Sequence, residues 1–316
     1  MFHYFAYGLS IASDLALSGL PELTPHAGAS ADVAVRLSTV EKSGFSAQLT
    51  IAEQHTTGDE IRCFWPGAGY FALQAGRSIT VEPLPQVTGA TLAPFVTGAA
   101  LAGILHQRGF LVLHASAVVA DGRGWAFVGE KGWGKSTLAA YLQTRRHRLL
   151  SDDIIPLRVN ANGPLTITPG FPQIKLWPDA VAAVGADATD LPRIVPFLEK
   201  RNYHPGDAGF SAQPVPLCGI YVLATGDDLS ITPLPAQAAF IELVCHTYMR
   251  NYLAATGQTA THFQHYGHLA QTLPLYRLQR PHNLGLLPQV AALLERHWHE
   301  TRNPARPLAQ VSNGKR

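Results

Sequence analysis

The sequence predicts an α/β chain: a small β-rich N-terminal domain, then a larger core of mixed β-sheet with flanking helices. Three observations carry this. Short, partly alternating apolar runs fill residues 1–90 almost without helix signals. Helical apolar spacing begins at Thr91. One glycine-rich loop stands between a strand-like run and a helix-like run at Gly129–Ser136. The expected division is 1–90, 91–302 and a flexible tail at 303–316.

In chain order, HYFAYGLSIAS, DVAVRLS, FSAQLTIAE, EIRCFW and SITVEP read as strands divided by Gly, Pro and Asp turns. ATLAPFVTGAALAGILHQRG reads as a helix that Gly109 terminates. FLVLHASAVVA supplies one or two strands, Asp121-Gly122 is a hairpin turn, and RGWAFV is the return strand. STLAAYLQTRR continues as a helix and RLLSDDIIPLRV as a strand. Residues 160–218 are rich in Pro and Gly, with PDAVAAVGA a short helix. CGIYVLAT is a buried strand, PAQAAFIELVCHTYMRNYLA and THFQHYGHLAQTL are helices, PLYRLQ is a strand, and LLPQVAALLERHWH is the last helix.

Composition excludes several classes. Apolar residues are 47% of the 316 and the formal net charge is +2, so the chain can bury a core and is not disordered. The balance of 24 basic and 22 acidic residues gives no broad cationic field for nucleic acid. The most apolar stretch, Phe95 to Val119, is broken by His106, Gln107, Arg108 and His114, short of the ~18–20 apolar residues that span a bilayer. The N-terminus has no basic region ahead of its apolar part, unlike a secretory leader. Cys63, Cys218 and Cys245 are far apart, which fits buried reduced thiols in the cytoplasm rather than a disulfide framework or a zinc knot.

Gly129-Glu130-Lys131-Gly132-Trp133-Gly134-Lys135-Ser136 fits G-x-x-x-x-G-K-[ST]. In a chain of this composition, an accidental match is expected fewer than about once in a hundred chains. The glycines let backbone N–H groups curl into an anion-binding nest, and the helix starting near Lys135, Ser136 and Thr137 adds its positive end. Lys135 can reach the outer phosphates of a nucleotide and Ser136 can ligate Mg²⁺. Trp133 can cover the nucleotide or pack on the sheet. Lys131 can touch phosphate or stay solvated.

Ser151-Asp152-Asp153 follows one helix and one short strand later, which returns the chain beside the loop. Adjacent carboxylates at the end of an apolar strand are costly unless they meet a cation or a substrate proton. One can hold Mg²⁺ while the other accepts a proton from an attacking hydroxyl; a solvated acidic turn is the plainer alternative. The Asp121-Gly122 hairpin would fold His114 back toward the loop, although a histidine in an apolar run, read alone, is more often a satisfied core residue than a functional one. Lys175 and the Lys200-Arg201 pair lie in Pro/Gly-flanked segments, either as a lid whose cations meet the transferring phosphoryl group or as surface charges. His246, His262, His265 and His268 suggest a metal at first glance, but the last three share a helix face, better read as a polar face than as a metal site.

The stretch Leu113 to Leu157, LHASAVVADGRGWAFVGEKGWGKSTLAAYLQTRRHRLLSDDIIPL, resembles the catalytic core of the HPr kinase/phosphorylase family. A looser likeness runs through PGFPQIKLWPDA and LCGIYVLA. The chain is more similar to the stand-alone serine-kinase-like branch found in peptide natural-product clusters, including lasso-peptide tail kinases. The resemblance implies a kinase using ATP and Mg²⁺ and a serine of a small peptide or protein as acceptor. It implies Asp152 as the base, Asp153 and Ser136 on Mg²⁺, and His114 near the reacting phosphate, tuning Asp152. It implies that Lys135 and the loop glycines hold the nucleotide, in a homo-oligomer.

The N-terminal part does not look like that family's regulatory domain, and no later signature loop stands out in Lys200–Pro216. The phosphocarrier HPr as substrate and the reverse phosphorolysis are therefore not implied. The motif does not separate ATP from GTP or pyrophosphate. A small-metabolite hydroxyl as acceptor, and a nucleotide-binding module without phosphotransfer, stay open.

Overall fold

HYFAYGLSIAS is a hairpin rather than one strand. β1 (Phe2–Ala6) and β2 (Leu9–Ser13) pair antiparallel across Tyr7 and Gly8, whose φ values are 56° and 73°. The computed structural model describes residues 1–24, 30–46, 51–159 and 165–301. The expected tail at 303–316 and part of the FSAQLTIAE strand (47–50) lie outside them. The sheet continues with β3 (Val33–Leu37), β4 (Glu53–Thr57), β5 (Glu60–Trp65), β6 (Gly69–Gln74) and β7 (Ser78–Pro83), ordered β1-β2-β3-β7-β6-β5-β4. β6 is missing from the sequence reading because Gly67, Gly69 and Gly76 around it read as loop.

α1 (Gly89–Phe95) begins at the Thr88 cap and carries Pro94 inside; a π-helical turn over Val96–Ala100 joins it to α2 (Leu101–Gln107). Gly109, at φ 78°, lets Phe110 N–H return to Leu105 O at 3.1 Å, which ends the helix as expected. By length and composition Gly89–Gln107 could cross a membrane, but 67% of its apolar window is buried inside the protein. The expectation that no run is long enough is corrected here: the helix starts before the polar interruptions that limited the estimate. Leu92, Val96, Leu101 and Leu105 complete the core under the first sheet with Ile11, Val35, Phe71 and Ile79.

The second sheet starts with β8 (Leu111–Leu113) and β9 (Ala115–Ala120). Asp121 and Gly122, at φ 53° and 75°, make the tight hairpin into β10 (Arg123–Val128). α3 (Lys135–Thr144), β11 (Arg148–Ser151), β12 (Ile155–Arg158) and β13 (Thr166–Ile167) follow. β14 (Ile174–Leu176), α4 (Pro178–Ala183) and β15 (Arg201–Tyr203) form an excursion in which β14 and β15 pair as a separate ribbon. β16 (Val215–Thr225), β17 (Ser230–Pro233), α5 (Ala236–Cys245), α6 (Asn251–Ala255), α7 (Thr259–Thr272), β18 (Leu275–Arg280) and α8 (Leu287–Thr301) finish the chain. The strand order is β11-β9-β10-β16-β13-β12-β8, with β18 beside β16 and β17 beside β18.

The alternation of β10 explains the two layers. Trp125 and Phe127 face one side with α3, α4 and α8; Ala126 and Val128 face the other with α5 and α7. β10, β16 and β18 run parallel, so their C-terminal ends share one edge of the sheet. β11 and β10 both run antiparallel to β9, so β11 ends on that edge too. Such an edge is where ligands bind in open α/β sheets.

The helix expected across 235–254 is broken at His246–Arg250. Met249 adopts φ 47°, and the segment pairs with β8 through Leu113 and Thr247. The histidine face on α7 is corrected as well: His262 is buried against His106, with rings 5.8 Å apart, while His268 is exposed. Of the three thiols only Cys63 is buried; Cys245 is exposed.

Candidate active site

β10 delivers the loop Gly129–Gly134, and α3 begins directly after it. Gly134 precedes α3 at φ 77°, and a Cβ there would stand 2.9 Å from the Arg280 guanidinium, so two constraints demand glycine. The Lys135 ammonium donates to Gly129 O at 2.7 Å and Glu130 O at 3.2 Å, which keeps it over the loop. Burial lowers its pKa, while Asp152 and Asp153 favour its charged form. Lys131 and Glu130 point outward, exposed; Trp133 is half-buried and packs against the sheet's aromatic layer.

Asp152 and Asp153 follow β11. Asp152 is 7% exposed. Its Oδ1 accepts from Ser116 Oγ at 2.6 Å and its Oδ2 from the Lys175 backbone N–H at 3.1 Å. Burial and the neighbouring Asp153 push its pKa up, opposed by Ser116, Lys175 N–H and the Ser136 hydroxyl. Ser136 is the loop residue assigned to the metal, so loop and acid pair meet here. Asp153 adopts φ 73°, rare for a side chain other than glycine. Its Oδ2 lies 3.0 Å from Lys175 Nζ and its Oδ1 3.3 Å from His114 Nε2. Burial alone would raise this carboxyl; Lys175, with His114, outweighs it and holds the group well below the usual carboxylate range.

Lys175 is therefore part of the acid pair rather than a surface charge. Lys200 stacks over Trp177, with Nζ 5.6 Å from the ring centroid, and its charge disfavours that of Lys135. Arg201 is not brought to the site: its guanidinium bonds to Ala188 O at 2.9 Å and Glu199 O at 2.7 Å.

Five further residues surround the site, of which the sequence singled out only His246, and that for a metal. Ser116 follows His114 by two positions, a spacing that signals a shared strand face. His246 is buried and accepts His114 N–H on its carbonyl at 2.7 Å; burial lowers its pKa, as do the charges of Lys135 and His114. Tyr248 packs edge-on to His114 at 5.4 Å. Tyr7, 1% exposed at the β1–β2 turn, is pushed well up by burial and by Asp153, with Ser151 as its opposing hydrogen-bonding neighbour. Gly170 makes room for it, since a Cβ there would stand 3.2 Å from the Tyr7 ring. Arg280, 147 residues beyond Trp133, donates to its carbonyl at 2.5 Å.

No family model matches the chain, and no curated protein matches it. The solved structure of the Hpr(Ser) kinase/phosphatase from Coxiella burnetii is similar over 61% of this chain and 99% of its own, at 14% identity and a TM-score of 0.36.

Proposed function

We propose that the chain is an ATP- and Mg²⁺-dependent phosphotransferase acting on a hydroxyl, with a serine of a small peptide or protein as acceptor. The observation that carries this is the convergence of the phosphate loop and the acid pair: β10, which leads into the loop, and β11, which leads into the acid pair, both run antiparallel to β9 and end on the same edge of the sheet. A loop that only binds nucleotide needs Lys135; it does not need two carboxylates held in opposite electrostatic states beside it.

The donors suit Mg²⁺. Ser136 hydroxyl and the Asp152 and Asp153 carboxylates are hard oxygen ligands, and Asp152 is a buried carboxylate without a basic side chain of its own among the described ion pairs. Bound there, Mg²⁺ would neutralise charge on the transferring phosphate. Lys135 and the loop N–H groups bind and orient the triphosphate. Asp152, the better proton acceptor of the pair, takes the proton of the attacking hydroxyl as oxygen bonds to the terminal phosphorus and the nucleoside diphosphate leaves. Asp153, pinned as an anion by Lys175 and His114, keeps that region's charge fixed. Lys200 faces the phosphates from the β14–β15 side. A cytoplasmic setting, with ATP at hand and thiols reduced, accompanies this reading.

Incubation with γ-labelled ATP, Mg²⁺ and either serine peptides or small hydroxylated metabolites tests it. Label on the peptide supports the proposal. Label only on the metabolite favours the small-molecule acceptor, and nucleotide binding without transfer to either favours a non-catalytic module.

A further inference from the structure

Arg280 is a cation in an unusual place. It ends β18 with 6% of its surface exposed, and among the described residues its guanidinium makes one hydrogen bond, to the Trp133 carbonyl. Among the described residues no carboxylate lies within ion-pair distance of it. A buried guanidinium normally finds an anion, because one carbonyl does not replace the water it has lost. Its remaining N–H groups are not sealed in the core as unpaired donors. They open onto a small cavity bounded by Trp133, Leu223, Ala224, Thr225 and His282.

The topology says which part of a ligand belongs there. The loop leaves β10. The acid pair lies two strands away on one side, through β9 to β11; Arg280 lies two strands away on the other, through β16 to β18. At ~4.8 Å per strand each flank is roughly 10 Å from the loop strand. A triphosphate held in the loop with its terminal phosphate toward Asp152 must send its other end toward β16 and β18. That end meets an arginine for the innermost phosphate, the Trp133 indole and Leu223 for an apolar face, and Thr225 and His282 for polar edges.

We propose that the cavity at the ends of β16 and β18 is the nucleoside subsite, with Arg280 holding the α-phosphate and Trp133 lying against the base. This rests on the phosphotransferase reading and adds where the nucleoside of the donor sits and which cation meets its innermost phosphate. The cavity as it stands has about 10 Å³, room for a single water, so the proposal requires the Trp133 indole to turn aside before a nucleoside can enter.

The test is calorimetric titration of the full chain with Mg²⁺–ATP and with Mg²⁺–tripolyphosphate. Wild type is expected to bind ATP at least about tenfold more tightly than tripolyphosphate. Ala224→Leu narrows the cavity from β16, on the side away from Lys135 and the loop N–H groups that hold phosphate. It is expected to weaken ATP about tenfold and leave tripolyphosphate unchanged, which also shows that the variant is folded. Arg280→Ala is expected to weaken ATP by a similar factor. Equal affinity of wild type for the two probes, or wild-type ATP affinity in Ala224→Leu, overturns the subsite while nucleotide binding at the loop stands. Wild-type ATP affinity in Arg280→Ala removes Arg280 from it. Failure of wild type to bind either probe overturns the phosphotransferase reading, and the subsite with it.

Discussion

Lys175 Nζ lies 3.0 Å from Asp153 Oδ2, and the same lysine's backbone N–H donates to Asp152. One residue of the β14–β15 ribbon thus grips both carboxylates. The consequence is an asymmetric pair: Asp153 is held low by the ammonium against the effect of burial, while Asp152, given only a peptide N–H and hydroxyls, is raised by burial.

Lys175→Met is therefore expected to raise the Asp153 pKa and move the acid limb of the activity–pH profile upward. Turnover should fall by about a hundredfold as the fixed anion loses its partner, with the ATP dissociation constant changing far less. The stability sign is also defined. A depressed carboxyl contributes stability that is present above its unfolded value near 4 and is lost as pH falls toward the folded value, so the substitution should flatten stability in strong acid. An unmoved acid limb in steady-state kinetics would remove Lys175 from this role.

Tyr7 brings the first sheet into the same site. Its hydroxyl faces Ser151, whose own hydroxyl donates to Ile154 O at 2.6 Å and so braces the turn carrying both aspartates. Tyr7→Phe should lower turnover about tenfold while leaving nucleotide affinity intact, and Tyr7→Phe combined with Ser151→Ala should be no worse than Ser151→Ala alone. Additive losses in that cycle would mean that the two hydroxyls act separately.

His106 and His262 give the fold an acid sensitivity apart from the acid pair. Burial pushes each imidazole down to about 4. As pH falls from about 6.5 toward 4 the unfolded chain takes up these protons first, so stability present at neutral pH is lost across that window. His106 Nε2–H donates to Tyr248 O at 2.7 Å. His106→Gln can keep that bond without titrating, and the drop in Tm between pH 7 and 4.5 should shrink. A drop as steep as wild type would place the sensitivity elsewhere.

Much of this was legible in the sequence because it is local. The Gly129–Ser136 loop needs its strand and helix on either side, the Asp121-Gly122 turn needs only two positive φ values, and the α8 stripe Leu287, Val290, Ala291, Leu294, Trp298 declares itself by spacing. What stayed hidden is long-range. Ser116 meets Asp152 across 36 residues, Lys175 reaches Asp153 across 22, and Arg280 reaches Trp133 across 147. No periodicity encodes such pairings. The broken helix at His246–Arg250 has the same origin: propensity favours one helix, and pairing of Thr247 with Leu113 in β8 overrides it.

The central claim is that Asp152 accepts the proton during phosphoryl transfer from ATP. The direct measurement is label transfer by Asp152→Asn beside wild type, with ATP affinity measured on the same samples. The variant should bind ATP as wild type does and transfer phosphate at least about 10³-fold more slowly. Transfer at the wild-type rate with unchanged ATP affinity would contradict the account.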